Sequence, residues 1–62
     1  MDLEIKINMD NAAFEDINGQ EAARILRKLA DKIDGGSLED GDSVSAIDIN
    51  GNKVGRLRVK GD

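Results

Sequence analysis

A chain of 62 residues with neither cysteine nor histidine has no disulfide and no Cys/His zinc site to hold it together. Domains this short bury only about 60% of their unfolded surface and are marginal without such a staple. What remains open is a compact, regular fold around aliphatic side chains, or stabilisation by a second copy. The side chains that qualify for the core are Leu3, Ile5, Ile7, Phe14, Ala22, Ile25, Leu26, Leu29, Ile33, Leu38, Ile47, Ile49, Leu57 and Val59. A core this small and aliphatic has no room for a substrate-sized internal pocket. A single domain over residues 1–62 is expected.

The same absences constrain chemistry. Histidine is the side chain that ordinarily titrates near neutrality, and thiolates are the usual strong nucleophiles and soft metal ligands. Ser37, Ser43 and Ser45 have no histidine to activate them. No catalytic residue, metal ligand set or cofactor is expected, and the chain reads as a non-enzyme. Nine basic residues stand against thirteen acidic ones, a net charge of −4. That balance disfavours direct binding to nucleic acid and to anionic membrane surfaces. No apolar run has the length of a signal peptide or a membrane span. The expectation is a soluble protein of the cytoplasm.

Residues 2 to 9 alternate, with Leu3, Ile5, Ile7 and Met9 on one parity and Asp2, Glu4, Lys6 and Asn8 on the other. This is the period-two pattern of a half-buried strand. Residues 10 to 18 read as a loop that docks Phe14 on the core. Residues 19 to 34 read as the one long helix, with Asn18 as N-cap and Glu21 completing a capping box. Ala22, Ile25, Leu26, Leu29, Ala30 and Ile33 form its apolar stripe. Gly35-Gly36 supplies the helix exit. Residues 44 to 49 and 53 to 60 read as strands joined at Asn50-Gly51. Ser45, Ile47 and Ile49 are expected to point inward from the first, and Gly55, Leu57 and Val59 from the second.

The fold class that follows is α+β: a single β-α-β-β domain with one helix on a three-stranded antiparallel sheet. Strand order 1-3-2 is preferred because it sets Asp2 and Glu4 beside Arg56, Arg58 and Lys60, and opposite charges on paired strands stabilise.

Several local patterns invite a functional reading. Asp48, Asn50 and Asn52 open like a calcium loop, but Lys53 stands where glycine belongs and Val59 where a bidentate glutamate belongs. A polar hairpin turn explains them better. Gly35-Gly36-Ser37 follows a helix rather than preceding one, so it caps the helix instead of cradling phosphate. Glu39, Asp40 and Asp42 lie in a Gly-rich loop, with no pocket to raise a carboxyl pKa for acid–base work. The acids are nevertheless concentrated in residues 10–21 and 31–42, while Lys53, Arg56, Arg58 and Lys60 make the last strand basic. Such charge serves as a solvated surface that keeps a small protein soluble; the other reading is of anionic patches at the two ends of the domain that present DNA-like charge to a basic partner. The contact residues expected for such a partner are Glu15, Asp16, Glu39, Asp40 and Asp42. Val44, Ala46 and Val54 are expected on the sheet face away from the helix, where they would seed self-association.

Asp10-Asn11-Ala12-Ala13-Phe14, the helix from Glu21 through Ile33, and Asp48-Ile49-Asn50-Gly51-Asn52-Lys53-Val54-Gly55-Arg56 together resemble a group of very small phage and prophage proteins, mostly of unknown function. The resemblance spans about residues 3 to 59. It implies a compact accessory protein without a catalytic motif. Phage genes of this size often encode inhibitors of host defence, anti-CRISPR proteins among them, and many such inhibitors are acidic and occupy a nucleic-acid surface on their target. The resemblance thus implies a non-enzymatic inhibitor of a host nucleic-acid-handling defence complex, acting by steric block and acidic mimicry. The alternative is a small self-associating structural or regulatory phage protein, monomer or homodimer, without mimicry.

Overall fold

The computed structural model describes residues 1–61. Strand β1 (Asp2–Ile7) leads through a single 3₁₀ turn (Ala12–Phe14) into helix α1 (Asn18–Ile33). Strands β2 (Ser43–Ile47) and β3 (Lys53–Lys60) follow. The sheet is antiparallel throughout, in the order β1-β3-β2. The α+β class and the strand order expected from the charge pattern are both present. Asp2 lies opposite Lys60 and Glu4 opposite Arg58. Glu4 Oε1 accepts from the Arg58 guanidinium at 2.9 Å, and this bond holds the Glu4 carboxyl below its ordinary pKa.

The helix begins one residue earlier than its sequence pattern implies. Ile17 occupies the N-cap position and makes no side-chain cap bond, and Asn18 is already helical. The predicted capping box therefore does not form, because Glu21 turns inward to other partners. The exit is as expected, with Gly35 at φ +85°. The loop before the helix is organised by Asn11, whose side chain accepts from Ala13 N at 3.0 Å. That turn seats Phe14 in the core at 4% exposure.

Phe14, Ile25, Leu29, Ala46, Val54 and Leu57 form the core cluster, and Val59 is buried as well. The helix packs on the 3₁₀ turn and on β2. It leaves the outer part of β1 uncovered, although Ile7 packs against the core cluster. Leu3 and Ile5, on the helix side of β1, remain 48% and 43% exposed, and Leu26 on the helix remains 44% exposed.

β2 departs from its expected orientation. Val44 lies opposite Leu57 and Ala46 opposite Gly55, so Val44 and Ala46 face the helix. Ser45, Ile47 and Ile49, expected inside, are exposed. A one-residue change of parity flips every side chain of a strand, and Asp48 decides it here. Residues 44, 46 and 48 share one face, and the Asp48 carboxylate is buried among turn donors at the end of that row. A β-bulge at Val54, opposite the Ala46–Ile47 step, turns Val54 inward too. Val44, Ala46 and Val54 are therefore core residues. They do not form a self-association face, since the parity that would have exposed them is reversed.

Gly55 sits between Ile7 and Ala46 in the middle strand. A Cβ there would strike the carbonyl of Lys6 and the Cα of Ile7. The glycine is what permits β1 to approach β3 so closely next to the bulge.

Candidate functional site

Among the described residues, two charged side chains are buried, Glu21 at 8% and Asp48 at 3% exposure. They meet where the helix start, the 3₁₀ turn and the β2–β3 connection converge. Asp48 Oδ1 accepts from the backbone N–H groups of Asn50 at 2.9 Å and Asn52 at 2.8 Å. Its Oδ2 accepts from Asn11 Nδ2 at 2.7 Å and Asn52 Nδ2 at 3.3 Å. The Asp48 backbone closes the turn, donating to Asn52 O and accepting from Gly51 N. Gly51 carries φ +86°, which a side chain would oppose. These bonds explain the alternation of Asp48, Asn50 and Asn52 as turn chemistry.

Glu21 stands beside this turn. Its Oε1 accepts from Arg24 Nε at 2.7 Å and its Oε2 from Ile49 N at 2.8 Å. Arg24 also donates to Ile47 O at 3.2 Å. Two side-chain-to-backbone bonds thereby bolt the helix to the end of β2 and the turn after it, while the Glu21–Arg24 ion pair within the helix holds the two side chains together. The Arg24 bond holds the Glu21 carboxyl below its ordinary value, against the opposing effect of burial. Glu21 in turn raises the Arg24 guanidinium. Burial pushes the Asp48 carboxyl up, but the hydrogen bonds from Asn52, Asn11 and Asn50 outweigh it and hold it below its ordinary value.

Both buried carboxylates are thus ionised acceptors with their oxygens occupied. General acid catalysis calls for the reverse, a carboxyl whose pKa is raised toward neutrality. No buried side-chain nitrogen or oxygen among the described residues lacks a partner. No group of three acidic, histidine or cysteine side chains among them has the placement to hold a metal ion. The cleft between α1 and β2, lined by Arg24, Lys28, Lys32, Ser45, Ile47 and Ile49, is open and shallow.

The five acids expected to contact a partner do not form one surface. Glu15 and Asp16 follow the 3₁₀ turn at the Lys53 end of β3, beside the Asp48 network. Glu39, Asp40 and Asp42 lie at the other end, where Gly41 N donates to Val59 O and Val59 N to Asp42 O. About 17 Å of strand separates Val54 from Val59. At this second end, Asp42 Oδ2 accepts from Glu39 N at 2.9 Å and Asp40 Oδ1 from Gly61 N at 2.8 Å. All five acids are exposed, but Asp40 and Asp42 also shape their own turn.

The sheet face away from the helix is polar and largely basic. Lys6, Arg56, Arg58 and Lys60 lie there, with Glu4 and Asp2 interleaved. Sequence reasoning missed the Glu21–Arg24–Asp48 cluster as a unit. An aspartate followed by asparagines two and four residues on does signal a side-chain-closed turn. Nothing in the local pattern tells that Glu21 will bond the backbone of Ile49, 28 positions away.

No family model matches the chain, and no curated protein or solved structure matches it either. Among the described residues, no helix is long and apolar enough to cross a membrane.

Proposed function

We propose that this chain is a non-enzymatic binding protein, of the phage-type inhibitor kind that its sequence resemblance implies. The observation that supports this reading is the state of the buried carboxylates. Glu21 and Asp48 are consumed by structural bonds and held ionised, so the charge left for recognition is on the surface. The partner is a host nucleic-acid-handling defence complex, in the manner of an anti-CRISPR target. The contact is steric and electrostatic, with exposed acids competing for a Lys/Arg-rich site. Of the two acidic ends, the one with Glu15 and Asp16 is the better candidate, because two of the three acids at the other end are engaged in their own turn.

The test is an affinity pull-down from bacterial lysate with the tagged protein at low and high salt, run beside Glu15→Lys/Asp16→Lys. Retention of one nucleic-acid-handling complex at low salt, lost at high salt and lost in the double variant, is the expected result. Equal retention by the double variant would rule out that end as the contact. Recovery of no such complex would rule out the inhibitor.

A further inference from the structure

β1 is an open edge of the sheet: among the described residues no bulge, covering segment or inward charge guards it, and its only protection is the outward charge of Asp2, Glu4 and Lys6. Exposed edges are usually protected by bulges, covering segments or inward charges. The other edge strand, β2, has the bulge opposite Ala46–Ile47 and gives Ile47 O to Arg24. β1 keeps an unbroken register over all six residues. Asn8 N donates to Val54 O at 2.7 Å, which continues the pairing of Asp2, Glu4 and Lys6 with β3. In an antiparallel ladder alternate residues bond to one side, so the main-chain groups of Leu3, Ile5 and Ile7 point away from β3. The side chains of the same three residues lie on the helix face of the sheet.

That face is uncovered just where the edge is open. Arg24, Lys28 and Lys32 line the cleft with β2, so by the 100° step of a helix the opposite flank, with Ala22 and Leu26, is turned toward the β1 side. Leu3, Ile5 and Leu26 are each more than two-fifths exposed.

We infer that the occupant of this edge is a second copy of the chain, paired β1 to β1 antiparallel about a two-fold axis through Ile5. The charges choose both partner and register. In this register Ile5 faces Ile5 of the second copy once, on the axis, while Leu3 faces Ile7 and Glu4 faces Lys6, each twice by symmetry. A shift of one pair toward the N-terminus sets Glu4 against Glu4, and a shift the other way sets Lys6 against Lys6. The Glu4-centred register does pair Asp2 with Lys6, but of the three only the Ile5-centred one matches acid with base without setting like charges against each other. It also relieves a strain inside the single chain, where Lys6 stands opposite Arg56. The two sheets become one six-stranded sheet with both helices on the same face. An isologous contact of this kind is closed and stops at two copies. The surface is separate from the acidic ends, so it stands independently of the inhibitor reading.

The absence of native cysteine makes single-cysteine cross-linking a clean test. Opposed residues of a hydrogen-bonded antiparallel pair have Cα atoms about 5.5 Å apart, within disulfide range. Ile5→Cys is therefore expected to form a covalent dimer under mild oxidation. Leu3→Cys is expected not to, because its two copies would stand about 13 Å apart. Sedimentation of the unmodified chain should give twice the 6.7 kDa chain mass. Glu4→Lys and Lys6→Glu should each weaken the dimer by about tenfold or more, and an equimolar mixture of the two variants should restore it as a heterodimer. Circular dichroism of each variant separates loss of pairing from loss of fold. A wild-type chain that stays monomeric, or cross-linking through Leu3→Cys as ready as through Ile5→Cys, would overturn the inference.

Discussion

Gly55 and Asp48 are the two positions at which the structure tolerates least. A methyl group at Gly55 meets backbone on the neighbouring strand rather than a movable side chain. Overpacking of that kind ordinarily costs about 1–3 kcal/mol. Gly55→Ala is expected to destabilise by at least about 2 kcal/mol in urea titration; a midpoint within error of wild type would refute the close approach of β1 to β3. Asp48→Asn keeps the shape but replaces one carboxylate oxygen with a donor, which then faces the side-chain amides of Asn11 and Asn52. The melting temperature is expected to fall by roughly 5–15 °C. Unchanged thermal stability would mean that the turn does not depend on the carboxylate. The polar turn was legible from its Asp-x-Asn-x-Asn spacing. The burial of Asp48 was not, because it depends on Asn11, 37 positions earlier.

At the scale of elements, the helix and strands β1 and β3 were readable and β2 was not. α1 announces itself through six apolar residues on one stripe and a glycine exit. β1 alternates cleanly over its six residues and β3 from Gly55 to Lys60, the bulge at Val54 breaking the pattern before it. β2 offers only five residues, Ser43–Ile47, followed by Asp48 and Ile49. Its larger side chains, Ile47 and Ile49, fall on the solvent parity. Hydrophobic size favoured the wrong face, while the buried bonds of Asp48 and the tight space beside Gly55 favoured Ala46. The orientation makes a sharp contrast. Ile49→Ser, at a position 68% exposed, is expected to change stability by no more than about 0.5 kcal/mol. Ala46→Asp, at a position 1% exposed, places an unpaired charge under the helix and is expected to abolish folding. Comparable circular dichroism and unfolding curves for the two variants would reverse the orientation of β2. The extent of helix cover was equally hidden. Period alone says that Leu3, Ile5 and Leu26 lie on apolar faces, not that the helix sits off-centre over β2.

For the molecule as a whole, pH dependence follows from composition and from the three carboxylates whose pKa is lowered. Glu4, Glu21 and Asp48 all have native pKa values below their ordinary 4.5, 4.5 and 3.8. In the acid range the unfolded chain therefore binds more protons than the native one, and stability rises with pH. The contribution of these groups is complete above about pH 5. It declines as the pH falls through their ordinary values and is gone below the native ones. With no histidine or cysteine, no side-chain type in the chain ordinarily titrates between about pH 5 and pH 9. Urea midpoints at constant ionic strength are expected to be level between about pH 5 and pH 7 and to fall on the acid side. A step near neutrality would contradict this assignment.

The central position of β3 has a consequence in time. It is the last of the three strands to be synthesised, yet it is the sheet neighbour of both others. Until residues 53–60 have left the ribosome, β1 and β2 have no strand to pair with, and half of the buried cluster has nothing to pack on. A nascent chain ending before Lys53 holds at most a helix docked on its own 3₁₀ turn. The sheet then assembles in one late event rather than strand by strand, so a chain truncated short of β3 is left exposed to proteases, and one that includes it is not.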